Sequence, residues 1–263
     1  MIHLISATNA HLYREQIATF HAARRRHFIF ERGWPLEERE GGEFDAYDDE
    51  HSLVLLGLSG DGDLEVACRL RRTTAGGLIP DIFPHLIAET EGDGREEGTF
   101  ECTRYFTTGA ARGRRGFEQR SRLHVAMVEA VRDRGGRRLL GFADLLLLTH
   151  LRRFSGLRLK PIGLPFPYDE EGNVTVAFEI GVSQGDLEET RRRLEIPTRQ
   201  LFEAPAWLPE TVDVIALEQA AATLIEADAS ARATLREVAR RASRVRHQPD
   251  VEGVMSRLSG MAA

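Results

Sequence analysis

Cysteine and long apolar runs are both scarce in this chain of 263 residues. Its two cysteines, Cys68 and Cys102, match no metal-binding spacing, so we expect a reduced, cytoplasmic protein without a metal site. The longest apolar run, residues 139–148, is too short to cross a bilayer and contains Asp144, which argues against membrane insertion. No basic segment followed by an apolar stretch opens the sequence, so we expect no signal peptide.

An excess of basic charge is also missing. The chain carries 35 Lys and Arg residues against 41 Asp and Glu, a formal net charge of −6, and Lys160 is the single lysine. Since phosphate contacts need a basic surface, this balance argues against a general nucleic-acid-binding protein. Apolar residues make up 42% of the chain, enough for a sizeable core. The length suits one large domain or one domain with an appendage.

The apolar periodicity alternates between strands and helices. It predicts an edge strand at residues 1–7 and further strands at 51–58, 64–70, 99–107, 138–143, 157–162 and 174–181. Helices are expected at 11–30, 117–134, 145–154, 185–193 and, after a proline-rich linker, within 211–247. Such a pattern is typical of an α/β fold with a mixed, twisted sheet and helices on its faces.

Four segments between residues 24 and 104 supply acids, arginines and aromatic rings. They are R-x3-F-x5-W from Arg24, E-x-D-x-x-D from Glu43, CRLRRT from Cys68 and ECTRYF from Glu101. Unpaired charges are costly in a core, so the mixture suits a small ligand with a carboxylate, an amine and an aromatic or cationic part. A structural salt-bridge network is the alternative.

The second of these segments lies in residues 35–50, which have neither helix nor strand periodicity. This stretch is expected to be a long loop, and long loops in compact domains are often functional. The glycine and the closing glutamate of an EF-hand calcium loop are not at the required positions. A solvated loop and a ligand-facing loop therefore remain the two interpretations.

The predicted strand at residues 99–107 poses a geometric problem. On strict alternation Glu101 shares a face with Thr103 and Tyr105, and Arg104 lies on the opposite face. Both charged residues reach one site only if the strand is splayed or bulged, which we expect.

Residues 109–116 form a glycine- and arginine-rich loop just before a predicted helix. A helix N-terminus offers backbone N–H groups and a positive dipole to an anion. Arg112, Arg114 and Arg115 therefore either meet an anionic ligand or an acidic partner, or form a solvated basic loop.

In this order and spacing the motifs resemble the acyl-homoserine-lactone synthases, the autoinducer synthases of bacterial quorum sensing. The resemblance covers residues 1–185. It rests on Arg24, Phe28, Trp34, Glu43, Asp45, Asp48, Arg69-Leu70, Thr73, Phe83-Pro84-His85-Leu86 and Glu101-Cys102-Thr103-Arg104-Tyr105. Thr103 stands where the family usually has Ser, a change that keeps the hydroxyl.

The resemblance implies an acetyltransferase-like (GNAT-like) domain at residues 1–185 and a mainly helical extension at 186–263. It implies transfer of an acyl group from an acyl carrier protein or coenzyme A (CoA) to the amine of S-adenosylmethionine (SAM), then lactone closure with release of methylthioadenosine (MTA). Both reactants are substrates, so no tightly bound cofactor is expected. A homodimer is a further expectation.

The resemblance also implies roles for individual residues. Arg24, Phe28 and Trp34 form a wall of the SAM site. Glu101 is the base, and the remaining catalytic candidates hold the amine, anchor the loop or pair with its acids: Thr103, Arg104, Asp45, Asp48 and Arg69. The acyl and pantetheine side is assigned to Phe106, Arg112, Arg114, Arg115, Met127 and Phe142.

Two other functions remain open from the sequence. An acetyl-CoA-dependent N-acetyltransferase of the same fold is expected to carry a fuller R/Q-x-x-G-x-G/A loop than residues 112–116 provide, and it leaves Trp34 unexplained. A non-enzymatic protein that binds a partner through its C-terminal helices leaves the charged set without a role.

Overall fold

The computed structural model describes residues 1–111, 113–167 and 173–227. The strands are β1 (Ile2–Ile5), β2 (Glu38–Arg39), β3 (Gly42–Glu43), β4 (Ser52–Leu58), β5 (Leu64–Arg72), β6 (Thr99–Thr107), β7 (Arg138–Asp144), β8 (Leu159–Pro161), β9 (Phe166–Pro167), β10 (Val174–Ile180) and β11 (Leu201–Phe202). The α-helices are α1 (Arg14–Arg24), α2 (Gly113–Asp133), α3 (Leu145–Phe154), α4 (Gln184–Leu194) and α5 (Val214–Ala227).

A mixed sheet forms the centre of the fold, as the sequence predicts. Its order is β11-β1-β4-β5-β6-β7-β10-β8, with β9 paired to β10. The pairs β1–β11 and β6–β7 are parallel, and the other pairs are antiparallel. The prediction of an edge strand at residues 1–7 is wrong, because β11 pairs with the outer side of β1 through Ile2 and Leu201.

The two faces of the sheet carry separate apolar clusters. Leu55 and Val66 lie in the cluster covered by α2, whereas their neighbours Leu56 and Ala67 lie in the cluster that includes Phe20 of α1. Alternating side chains along each strand thus bury both faces. The face with α1 also carries the acid- and arginine-rich segments.

The predicted helix at residues 11–30 is not one continuous α-helix. A 3-10 turn at Ala10–Tyr13 precedes α1, and a π-helical segment follows it at Arg25–Glu31. Such π segments interrupt α-helices, often at functional sites. Residues 35–50 are not wholly irregular either, since β2 and β3 form a small hairpin within them.

A bulge in β6 solves the problem posed by strict alternation. Phe106 pairs with Ala67, but Thr103 pairs with Arg69, so β6 contains one residue more than β5 across this interval. Arg104 adopts the left-handed conformation there, with φ of 52°. The extra residue brings Arg104 and Phe106 to the face of Glu101 and turns Tyr105 toward α2, and the predicted bulge is confirmed.

Strands β6 and β7 separate just before this bulge. They pair only from Thr99 to Glu101, opposite Arg138 to Leu140. After that point β6 runs on beside β5, whereas β7 runs on beside β10. The separation leaves an opening through the sheet next to the bulge.

The described part of the segment after residue 185 contacts the sheet and α2. The buried carboxylate of Glu129 in α2 accepts the backbone N–H groups of Gln200 and Leu201 at 3.0 and 2.7 Å. The helix predicted at 211–247 is present as α5 up to Ala227, and its remainder lies outside the described residues. The boundary between residues 185 and 186 stays a prediction. In the described part of the chain, no helix has the length and apolar character needed to cross a membrane.

Candidate active site

Glu43 lies at the centre of a buried ionic network. Its carboxylate accepts the Nε–H of Arg24 at 2.5 Å, and it accepts Nε–H and NH2 groups of Arg104 at 3.0 and 2.8 Å. Glu43 and Arg24 are fully buried, and Arg104 nearly so. Charge-assisted bonds of this kind compensate the loss of hydration that burial imposes.

Asp45, Asp48 and Arg69 extend the network from the loop to β5. Arg69 donates two hydrogen bonds to Asp45, at 2.5 and 2.8 Å, and one to Asp48 at 2.8 Å. Asp48 also accepts from Arg24 at 2.7 Å, and Asp45 lies 2.9 Å from a nitrogen of Arg104. Three arginines from three elements therefore hold three acids of one loop.

The electrostatics keep this network ionised. Burial works against each charged carboxyl, but the hydrogen bonds and charges of the arginines outweigh it, and the pKa values of Glu43, Asp45 and Asp48 are all lowered. Burial likewise disfavours the charged form of Arg69, yet its bond to Asp45 raises the pKa of the guanidinium. All four groups are charged at neutral pH.

An aromatic wall lies beside the network. The rings of Phe28 and Trp34 stack with centroids 5.2 Å apart, and Phe28 meets Phe106 edge-on at 5.8 Å. The guanidinium of Arg104 lies 5.6 Å from the Phe28 ring centre, a cation–π contact. Phe28 thus connects the ionic network to the residues at the opening of the sheet.

Glu101 of β6 is fully buried. Its two carboxylate oxygens accept the backbone N–H groups of Leu78 and Ile79, each at 2.9 Å. A Cβ at Gly77 would lie only 2.6 Å from the carboxylate, so the absent side chain permits the approach. Burial raises the pKa of Glu101 even though the N–H bonds of Ile79 and Leu78 favour its charged form. A raised pKa makes a carboxylate a better proton acceptor than an ordinary glutamate.

Thr103 lies between the strand and the network. Its hydroxyl accepts the Nε–H of Arg69 at 3.0 Å, and its side chain is buried. The predicted SAM and catalytic residues therefore occupy one face of β5 and β6 and the adjoining α1 and loop.

A cavity of about 230 Å³ lies beside the end of β6, between α2, α3 and the π-helical segment. Apolar rings and chains from β6, α2 and α3 line much of it, among them Phe106, Phe117, Leu147 and Phe154. Phe106 belongs both to this cavity and to the aromatic wall, so the two regions are contiguous.

The residues predicted for the acyl side are dispersed. Phe106 lines the cavity, whereas Met127 is buried between α2 and the sheet, and Phe142 packs against Phe83 in a different cluster. Arg114 pairs with Glu118 on the surface of α2 and Arg115 pairs with buried Glu65, while Arg112 lies outside the described residues. Of this set, Phe106 alone among the described members lines the cavity.

Sequence reasoning missed some residues of the site. Glu43 was part of the quoted motif but received no role, although its position at the start of E-x-D-x-x-D was a signal. Gly77 and the backbone N–H groups after it had no signal in the sequence. Within the described ranges, no group of three His, Cys, Asp or Glu residues is placed to hold a metal ion.

Comparisons with known proteins identify the family of the chain. The autoinducer synthase family model matches residues 8–187. The isovaleryl-homoserine lactone synthase of Bradyrhizobium diazoefficiens is 31% identical over 199 residues, which cover 75% of this chain and 87% of that protein.

Solved structures show the same likeness. The CoA-dependent acyl-homoserine lactone synthase BjaI, solved with SAM and isopentyl-CoA, is 28% identical with a TM-score of 0.68, over 82% of this chain and 97% of that one. TofI, solved with an inhibitor and MTA, is 28% identical with a TM-score of 0.60, over 74% and 97%. These matches decide against a plain N-acetyltransferase and against a non-enzymatic protein. The chain therefore belongs to the autoinducer synthase family, the acyl-homoserine-lactone synthases.

Proposed function

We propose that the substrates are SAM and an acyl-CoA thioester. The amine of SAM attacks the thioester carbonyl, forming an amide and releasing CoA. The carboxylate of the same molecule then attacks its γ-carbon, breaks the bond to sulfur and leaves as a lactone, while MTA departs. The CoA-dependent relative solved with SAM and isopentyl-CoA, and the relative solved with MTA, support this choice of substrates.

The bulge at Arg104 is the observation that carries the proposal. It puts Arg104 and Phe106 on the face of Glu101 and Thr103, beside the opening between β6 and β7. An amine bound on this face and a thioester held in the opening meet without crossing the sheet. Such an arrangement supplies the proximity that acyl transfer and ring closure both require.

The aromatic wall is the proposed SAM site. The rings of Phe28 and Trp34 offer faces to the adenine or the sulfonium, a favourable contact for a cation. One buried NH2 group of Arg24 makes no hydrogen bond among the described residues and lies 3.9 Å from a carboxylate oxygen of Asp45, so this guanidinium has a donor that the carboxylate of SAM can take.

The ionic network is proposed to position the loop that covers this site. The oxygens of Asp45 and Asp48 are already engaged by Arg69, Arg24 and Arg104. This favours a role for the two aspartates in anchoring the loop over one in binding the amine directly. Arg69 and Thr103 then fix the loop to the strands.

Glu101 is proposed to take the proton that the attacking amine loses. Its raised pKa makes the carboxylate a better proton acceptor than an ordinary glutamate. Because the carboxylate is fully buried behind Gly77, the transfer passes through a water molecule.

The cavity is proposed to hold the thioester end of the donor and its acyl group. At about 230 Å³ it is smaller than the roughly 300–1,000 Å³ of drug-sized ligand sites, which favours a short acyl group. The N-terminus of α2, with Arg114 and Arg115 nearby, suits the phosphates of CoA.

Three finer expectations stay predictions. CoA and SAM are intracellular metabolites, so we propose a cytoplasmic enzyme. An acyl carrier protein as an alternative donor, and a homodimer, rest on the resemblance alone.

Mass spectrometry of a purified reaction tests the proposed function. The full chain is incubated with SAM and a panel of short acyl-CoA thioesters, and the products are searched for the homoserine-lactone fragment ion. An acyl-homoserine lactone together with MTA is the expected result. Acylated SAM without lactone, or no turnover with any CoA or carrier-protein donor, would refute the proposal.

A further inference from the structure

The cavity between β6, α2 and α3 contains a hydrogen-bonded pair of polar rings in its wall. The hydroxyl of Tyr105 lies 2.9 Å from Nε2 of His124, and the two rings stack with centroids 5.8 Å apart. Tyr105 comes from the bulge of β6, and His124 comes from α2. We propose that this pair selects an acyl group that carries a hydroxyl, an inference that rests on the proposed function.

The pair is neutral. Burial, aided by the positive charge of Arg120, lowers the pKa of His124 to about 3. Burial also raises the pKa of the Tyr105 hydroxyl. Neither ring is charged at neutral pH, so the pair acts through hydrogen bonds alone.

Counting the polar hydrogens shows which hydrogen-bond donor and acceptor sites of the pair stay available to a ligand. Two polar hydrogens are present, one on the phenol and one on the imidazole, and the bond between the rings uses one of them. If the phenol donates to Nε2, its oxygen keeps an acceptor site and the imidazole proton lies on Nδ1. If Nε2–H donates to the phenol, the phenolic hydrogen is free to donate elsewhere. The second ring nitrogen, Nδ1, is buried and has no hydrogen bond of normal geometry among the described residues, although the backbone of Ser155 favours the protonated ring.

A ligand hydroxyl complements both arrangements, because it donates and accepts. A keto oxygen complements only the second arrangement, since it cannot donate. A methylene group complements neither and leaves the phenol without a partner at the ligand, which is unfavourable in a buried site. The protein therefore favours a hydroxyl group wherever the shared proton lies.

The other polar residues of the cavity are less suited to this task. His27 is already engaged by Glu31 and Arg32, each at 3.2 Å. His150 is exposed, and the side chain of Arg32 is 37% exposed, so water competes for both. Phe106 and Leu151 are apolar members of the lining, and Thr107, Arg120, Ser121 and Ser155 are further polar ones. Of these, Arg120 carries a charge that acts on both Tyr105 and His124. A single hydroxyl on a short chain matches this surface.

The test compares two donors of equal length on the full chain, 3-hydroxybutyryl-CoA and butyryl-CoA, with SAM at saturation. We expect kcat/KM to be at least about tenfold higher for the hydroxylated donor, the effect of one good hydrogen bond in a buried site. Tyr105→Phe removes the hydroxyl and keeps the ring. In this variant the ratio is expected to fall toward one, mainly through a higher KM for the hydroxylated donor.

Tyr13→Phe is the matched control. Tyr13 also bonds a histidine, His3, at 3.1 Å, but this second pair lies on β1 and the turn before α1 and does not line the cavity. The control variant is expected to keep the wild-type ratio. Equal losses for both donors in Tyr105→Phe would show a structural role and overturn the proposal, as would a wild-type preference for butyryl-CoA.

A binding measurement covers the case in which Tyr105→Phe does not fold. Calorimetry on the wild-type chain is expected to show tighter binding of 3-hydroxybutyryl-CoA than of butyryl-CoA, and equal binding would overturn the proposal. Absence of turnover with every donor would refute the proposed function. Turnover without a preference for the hydroxylated donor would refute only the role of the Tyr105–His124 pair.

Discussion

Arg104 binds Glu43 side-on, with its Nε–H directed to both carboxylate oxygens at 3.2 and 3.0 Å and an NH2 group directed to one of them at 2.8 Å. Arg104 is the bulged residue of β6, and Glu43 ends the small hairpin of the loop. One ion pair therefore ties the strained position of the strand to the loop that covers the candidate SAM site. The same contact therefore fixes both the loop that contains Glu43 and the bulge of β6 at Arg104.

Glu43→Gln is expected to destabilise the protein strongly. The substitution leaves the buried guanidinium groups of Arg24 and Arg104 without their charged partner, and such losses lower the free energy of unfolding by about 3–5 kcal/mol. Urea denaturation measures the change. Glu38→Gln is the control, because Glu38 forms a solvent-exposed pair with Arg25 and should change the stability little. Equal effects of the two substitutions would contradict a central role of Glu43.

Gly77→Ala is expected to lower the rate with a smaller effect on stability. The added Cβ would lie 2.6 Å from the carboxylate of Glu101, so the acid or the backbone turn at Leu78 must move. We expect a fall in kcat of about 10-fold to 100-fold, since small displacements of reacting groups carry penalties of this order. Gly185→Ala, whose Cβ would approach no closer than 3.9 Å to Ser183, should keep the wild-type kcat. A wild-type rate in Gly77→Ala would show that the position of Glu101 does not matter.

Acid is expected to destabilise the fold through the network. The pKa values of Glu43, Asp45 and Asp48 are lowered in the folded state, whereas an unfolded chain titrates near pH 4. The unfolded state therefore binds more protons, and the stabilisation is complete above about pH 5 and is lost as the pH falls further. The raised pKa of Glu101 acts in the opposite direction.

The free energy of unfolding measured between pH 7 and pH 3 checks this sign. Wild type should lose stability steadily on acidification, and Asp48→Asn, which is less stable at pH 7, should show a flatter dependence. A wild-type stability that increases toward pH 3 would mean that Glu101, and not the network, dominates the linkage.

Trp34→Ala is expected to raise the KM for SAM by roughly tenfold with a smaller effect on the KM for the acyl donor. The reason is loss of the ring that stacks on Phe28 and offers its face to a cation, a contact worth about 1 kcal/mol or more when shielded from water. Phe30→Ala is the control, because this ring is 61% exposed on the π-helical segment nearby. Initial rates at varied SAM give both constants. Matching KM values for wild type and Trp34→Ala would move the SAM site elsewhere.

Local signals made part of the fold predictable from the sequence. Helix α3 has the bounds that the pattern gives, since Asp144 caps it by accepting the N–H of Leu147 at 2.7 Å. Strand β6 likewise spans residues 99–107, and the hairpin of β4 and β5 follows its turn residues. In these cases the information lies within a few neighbouring residues.

Long-range contacts account for what the sequence did not reveal. The strand at residues 1–7 looked like an edge because its parallel neighbour, β11, lies about 200 positions away and is only two residues long. Strict alternation separated Arg104 from Glu101, and the expected bulge needed the register with β5 to locate it. Glu43 received no role because its two arginine partners come from distant elements.

The base assigned to Glu101 is tested most directly by Glu101→Gln, checked for folding by its thermal melt. Glutamine offers one oxygen and one NH2 group in place of the two oxygens that accept the N–H groups of Leu78 and Ile79, so one of these hydrogen bonds is lost and the melt measures its effect on folding. CoA and MTA released per lactone are measured in wild type and variant. We predict one of each per turnover in wild type and a fall in rate of about 10²–10⁴-fold in the folded variant. A folded Glu101→Gln that turns over at the wild-type rate, or a wild type that releases CoA without MTA, would contradict the account.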